Sequence, residues 1–150
     1  MATNSNLIST ILTLAHTIAV VGLSEKSDRP SNGVARYLQV HGYRIIPVNP
    51  AAAGTRILGE PCFGTLIDAA AALAVEGQKI DVVDCFRRSD AIPSIVDDAI
   101  AIKAPYLWMQ IGVVNENAAR KATAAGIDVV MDQCIKIDHA AWLAESRQRS

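Results

Sequence analysis

Short unbroken apolar runs alternate along this chain with stretches whose apolar residues recur every third or fourth position. The runs read as strands apolar on both faces, over 18–23, 44–48, 80–86, 106–110 and 127–131. Leu7, Ile8, Ile11, Leu12 and Ala15 mark a helix over 5–15 behind an Asn4 or Ser5 cap. Val34, Tyr37, Leu38 and His41 mark the buried face of a helix over 31–41, with Pro30 in its first turn and Gly42 as its stop. Thr65 caps a third helix, which runs through the alanines 69–72 to about Val75. Ser89 or Asp90 caps a fourth, with Ile92, Ile95, Val96, Ala99 and Ile100 as its stripe and Asp97 and Asp98 toward water. Asn115 caps a fifth, which closes at Ala125 before Gly126. Asn49-Pro50 stops the second strand, 51–60 is loop, and Pro61-Cys62-Phe63 is a brief edge strand. Past the last strand, 135–137 reads as a short extended piece, 139–146 as a helical turn or two, and 147–150 as a fraying end.

Strands alternating with helices predict an α/β fold: a Rossmann-like, doubly wound parallel sheet of about five or six strands with helices on both faces. With Pro61–Phe63 as the short third strand, the expected order is 3-2-1-4-5-6. The order then reverses between strands 18–23 and 80–86, and a ligand belongs beyond their carboxyl ends. Gly22-Leu23-Ser24 and Phe86-Arg87-Arg88-Ser89 stand there.

A strand, a glycine turn and a helix start in succession build an anion cradle, because the first N–H groups of a helix are unpaired and its dipole favours negative charge. The three-glycine dinucleotide fingerprint is missing: Ser24 and Ser27 fall where further glycines belong. The acid that would bind ribose hydroxyls at the end of strand two is missing too, since Val48-Asn49-Pro50 occupies that place. Instead the loop carries Ser24, Lys26, Ser27 and Arg29, followed by Ser31. Hydroxyls, two cations and a helix N-terminus suit a diphosphate without a metal. Val48 and Pro50 offer a purine an apolar ledge, Asn49 can hydrogen-bond it, and Arg87 and Arg88 stand on the opposite lip. Solvated loop charge is the plainer reading of Lys26 and Arg88 taken singly. Arg29, directly before the helix start, fits it less well.

Composition narrows the partners. The chain of 150 residues suits one domain spanning 1–150, and 51% hydrophobic residues supply a core. A formal net charge of −1 argues against duplex DNA or an anionic membrane as partner. Cys62, Cys85 and Cys134 have neither metal spacing nor the even count of a disulfide scaffold. No apolar run approaches the ~18–20 residues of a membrane span. The start, Met-Ala-Thr-Asn-Ser-Asn, lacks a basic signal region. The expectation is a soluble cytoplasmic protein.

The chain resembles the small stand-alone CoA-binding proteins, whose domain is similar to the N-terminal domain of the succinyl-CoA synthetase α subunit. The stretches that carry the resemblance span most of the chain. They are Ile18-Ala-Val-Val-Gly-Leu-Ser24, Arg29-Pro-Ser-Asn-Gly-Val-Ala-Arg-Tyr-Leu38, Gly42-Tyr-Arg-Ile-Ile-Pro-Val-Asn-Pro50, Ile57-Leu-Gly59, Asp81-Val-Val-Asp-Cys-Phe-Arg-Arg88, Trp108-Met-Gln-Ile-Gly112 and Met131-Asp-Gln-Cys-Ile-Lys-Ile-Asp-His139. It implies coenzyme A or an acyl-CoA as cofactor. Gly22, Ser24, Arg29 and Ser31 would hold its pyrophosphate, Val48, Asn49 and Pro50 would flank its nucleotide, and Phe86 and Arg87 would form the other wall. The family often has a basic residue before the cysteine; here it is Gln133. The synthetase's phosphohistidine belongs to a second domain with no counterpart here, so ligase activity is not implied.

Cys134, just past the last strand, is the weak candidate for chemistry, with His139 five residues on and Asp132 and Asp138 nearby. A thiol beside an imidazole could exchange disulfides with CoA or take an acyl group. The preferred reading is a small buried cysteine and a satisfied histidine. Cys62 and Cys85 read as core, His16 and His41 as helix-end packing, and Tyr106 and Trp108 as core, although one of the two could line the crevice. Three functions stay open: a CoA-binding, sensing or carrier module without turnover; thioester or disulfide chemistry on CoA through Cys134; and, least favoured, a nicotinamide-dependent oxidoreductase.

Overall fold

The apolar run after the first helix becomes β1 (Thr17–Val21), buried at every position. In the computed structural model, which describes residues 4–149, β1 lies inside an all-parallel five-stranded sheet. Its neighbours are β2 (Arg44–Val48) and β5 (Val82–Cys85), followed by β6 (Tyr106–Met109) and β7 (Asp128–Val130), in the order β2-β1-β5-β6-β7. The Rossmann-like α/β expectation holds, and the reversal falls between β1 and β5.

Alternation along each strand sends side chains to two layers. Ala19, Val21, Val83, Cys85, Leu107 and Met109 face α3 (Leu66–Val75), α4 (Ile92–Ala101) and α5 (Glu116–Ala124). Ile18, Val20, Val82 and Trp108 face α1 (Asn4–Leu14), α2 (Pro30–Val40) and α6 (Ile135–Arg149). Thr65 and Asn115 cap α3 and α5 as predicted, accepting from Asp68 N at 3.1 Å and Ala118 N at 3.0 Å.

The expected third strand shrinks to one residue. Phe63 bridges Val48 in parallel, with Phe63 N donating to Pro47 O at 3.0 Å. Glu60–Pro61 (β4) instead folds back antiparallel on Arg56–Ile57 (β3), through Leu58 and Gly59, both at positive φ. Pro47 is tolerated in β2 because its carbonyl, and so its missing N–H, faces this nearly unpaired edge.

The other differences lie at helix ends. No side chain caps α4; a 3-10 turn over Ser89–Ala91 leads into it. Ser89 is drawn instead to the loop after β6, its Oγ accepting from Val114 N at 3.0 Å and its carbonyl from Asn115 Nδ2 at 3.0 Å. Asp97 faces water, whereas Asp98 is half-buried. His41 is exposed rather than buried, stacking on Tyr37 with ring centroids 4.1 Å apart. The segment read as an extended piece followed by a short helical turn is one helix, α6. Its stripe is Ile135, His139, Trp142 and Leu143, a helical spacing hidden by reading His139 as polar. Ser150, expected to fray with 147–149, lies outside the described residues; 147–149 are helical. Among the described residues no helix is long and apolar enough to cross a membrane.

Candidate functional site

The site begins where β1 and β5 end almost in contact. Gly22 has φ +91°, and a Cβ there would lie 2.3 Å from Phe86 O, so only glycine lets the two strand ends meet. Gly22 N donates to Val48 O at 2.7 Å and Phe86 N to Val21 O at 2.9 Å, which ties three strand ends into one rim.

The loop beyond Gly22 is shaped by the first turns of α2. Ser24 N donates to Ser31 Oγ at 3.0 Å, and Asn32 Nδ2 donates to Ser24 O at 2.8 Å. Arg36 donates to Asn32 Oδ1 at 2.8 Å and to Ser27 O at 3.0 Å. Asn32 and Arg36 went unnoticed in the sequence. Their i,i+4 spacing on the helix that follows the loop was the available signal. Asn49 serves the fold at both ends of its amide: Nδ2 donates to Leu23 O at 3.0 Å, and Oδ1 accepts from Ala51 N at 3.0 Å.

Several spaces open at this rim, among them a polar one of about 500 Å³ along Phe86, Arg87, Arg88, Asp90 and Ala91. A polar collar of about 380 Å³ is lined by Gly22, Ser24, Lys26, Arg29, Pro30, Ser31 and Phe86. Among the described residues, Lys26, Arg29 and Arg87 have no carboxylate partner, whereas Arg44 pairs with Glu60 and Glu76, and Arg88 with Asp90. Ser31 is buried and accepts one bond, and its hydroxyl proton stays available. On the α3–α4 side lies a cavity of about 150 Å³ walled by Val21, Val48, Pro50, Leu66 and Ile95, with Thr65, Arg87, Ser94 and Asp98 as its polar members. On the α2–α6 side lies a groove of about 490 Å³ that contains Cys134 and shares Pro30 and Phe86 with the collar and Arg87 with the cavity.

His139 is not in these spaces. Five helical residues turn about 140° past a full turn, which sends it to a different face from Cys134. It is buried, its Nδ1 2.9 Å from Tyr37 Oη, and its ring packs edge-on against Tyr37 and Tyr43. Burial first, and His41 second, push its pKa below the ordinary histidine value. Trp108 is fully buried and donates from Nε1 to Gln133 O at 2.9 Å, anchoring the turn before α6. Tyr106 is half-buried against the same layer, and Cys62 and Cys85 are core.

One buried acid had gone unnoticed because it looked like part of a strand. Asp84 is fully buried, and Gln110 Nε2 donates to its Oδ1 at 2.5 Å, while Oδ2 has no partner among the described residues. Gln110 Oε1 in turn accepts from Ile135 N, a long 3.4 Å bond at the start of α6. Burial raises the Asp84 pKa to about 7, against a smaller lowering by the Gln110 bond.

Sequence and fold comparisons point the same way. A family model described as the CoA binding domain matches residues 16–140. The uncharacterized protein YneT of Bacillus subtilis is 40% identical over 133 residues, covering 89% of this chain and 92% of that one. A hypothetical protein from Pyrococcus horikoshii superposes with a TM-score of 0.84 at 34% identity, covering 95% of this chain and 93% of that one. A Thermus thermophilus structure, cell-free ID.343, gives 0.82 at 30% identity over 93% of this chain and 99% of that one.

Proposed function

The chain belongs to the CoA binding domain family, and from that premise we propose that it binds coenzyme A or an acyl-CoA across the carboxyl ends of β2, β1 and β5. The observation that carries this reading is the collar: two cations with no carboxylate partner among the described residues, the Ser24 hydroxyl in the loop after β1 and the Ser31 hydroxyl in the first turn of α2. A diphosphate needs that much positive charge and that many donors, and Lys26, Arg29, the hydroxyls of Ser24 and Ser31 and the Ser31 N–H supply them without a metal; Pro30 has no N–H, and those of Asn32 and Gly33 are held by Arg29 O. The base belongs in the cavity against Val48 and Pro50, with Arg87 in the wall of that cavity and Phe86 in the wall of the collar. Asn49 contributes as a positioning residue, since its amide already holds the loop after β1 and the turn after β2.

The protein acts as a binding, sensing or carrier module without turnover. Support comes from His139, the weak candidate for a base, being engaged by Tyr37 on another face than Cys134. Three free cysteines suit the cytoplasm, where thiols stay reduced. Titration calorimetry tests the reading. CoA should bind at micromolar levels and NAD(H) and NADP(H) much more weakly. Arg29→Ala removes a charge-assisted contact of about 1.5–3 kcal/mol and should weaken CoA roughly 10- to 100-fold. An unchanged affinity in Arg29→Ala, or tighter binding of NADH than of CoA, would overturn it.

A further inference from the structure

Resting on that reading of the collar, we infer that the preferred ligand is a CoA thioester of an apolar acyl group, whose chain lies in the groove between α2 and α6. The groove, at about 490 Å³, exceeds the collar and the base cavity. Val34 and Val113 are buried in its lining, and Ile111 and Ile137 stand at its rim. Those two isoleucines are 63% and 60% exposed, a pair of large apolar side chains that the fold itself leaves uncovered.

Two features decide between a chain and other occupants. Continuity is the first. Pro30 and Phe86 line both collar and groove, so the two spaces adjoin and a ligand anchored by its diphosphate has the groove beside it. The second is the shortage of polar partners at the far end. Gln110 is 4% exposed, with its amide engaged by Asp84 and by Ile135 N. Arg87 and Arg88 stand toward β5, and Arg88 is paired with Asp90 at 3.0 Å. Both lining cations come from the segment after β5, and none of the lining residues from α2, from the loop after β6 or from Cys134 and α6 is charged. Hydrocarbon therefore suits the far end, and a dicarboxylic acyl group does not.

The experiment is calorimetry of the full chain with CoA, butyryl-CoA, octanoyl-CoA and succinyl-CoA. Each methylene fully taken from water strengthens binding by about fourfold and half-covered by about twofold, so octanoyl-CoA should exceed CoA by tenfold or more. Ile137→Asp and, separately, Ile111→Asp should bring the octanoyl-to-CoA ratio down to near one, with melting curves confirming that both variants fold. Arg29→Ala should weaken every ligand and leave that ratio intact. CoA binding without any gain from the chain, a gain that survives both aspartates, or succinyl-CoA binding more tightly than butyryl-CoA would overturn the inference. So would a dimer of this chain that Ile137→Asp dissolves while the ratio stays put. If no CoA species binds, the reading of the collar itself fails.

Discussion

The two faces of the sheet bury different things. Against α3, α4 and α5 the central strands present hydrocarbon, the Cys85 thiol and, at the start of β1, the buried Thr17 hydroxyl, but no ionisable carboxyl or imidazole. Against α1, α2 and α6 the layer includes a carboxyl, Asp84, and the helix that closes it contributes a buried imidazole, His139. The face toward α3, α4 and α5 is a packing layer except at the carboxyl ends of its strands, where Val21, Val48, Leu66 and Ile95 wall the smaller cavity. The other face is also the side on which the groove opens and α6 begins, so its polar groups couple core, helix start and site through Gln110 and Trp108. The collar differs from both: its cations stay exposed to water. Ionisable groups inside this fold are pushed toward neutrality, and those that serve the site stay in water.

The strongest way to break the comparison is truncation on each face. Trp108→Ala should cost about 3–5 kcal/mol in urea unfolding and also weaken CoA, because the turn before α6 loses its anchor. Leu107→Ala, one residue away on the other face, should cost about 2–5 kcal/mol and leave the affinity of the folded protein alone. Equal effects on affinity would erase the distinction between the faces.

A smaller effect follows from Asp84. Its pKa is raised to about 7 in the folded protein from an ordinary 3.8, so the native state holds a proton that the unfolded chain has released. Its contribution to stability is therefore greatest below about pH 4 and is lost as pH rises through about 7. Asp84→Asn should flatten that slope and raise stability at pH 8 by on the order of 1–3 kcal/mol, read from urea melts across pH.

The smallest effect has the opposite sign. His139 is held below its ordinary 6.5, so the unfolded chain takes up protons first and stability falls as pH drops below about 6.5. His139→Gln should remove that acid-side loss, at a cost of roughly 1 kcal/mol at pH 8 for the altered Tyr37 contact. An unchanged acid slope in this variant would mean that the imidazole is not what senses pH on this face.

Element types were legible where local chemistry is strong. Thr65 and Asn115 announce their helices because a hydroxyl or amide one position before a helix has few better uses. Ser89 shows the limit: the same chemistry in the same place was taken by Val114 N and Asn115, residues distant in sequence. Asn49, expected to hydrogen-bond the base, also braces the loop after β1, a role the sequence does not announce because nothing local says that Leu23 O will lie beside it. His139 concealed α6 because a polar letter on the apolar stripe breaks the pattern, and only the aromatic cage around it explains its burial.

From its sequence alone this protein had its parallel α/β architecture, the reversal point between β1 and β5, and the residues of the collar, because apolar periodicity and a glycine–serine–arginine turn act over short stretches of chain. Tertiary structure alone decided which polar groups the fold engages and which it leaves exposed at the rim. Asn49, Ser89, Asp84 and His139 were settled by partners far along the chain, and hydrogen-bond partners and burial at that range have no local signature.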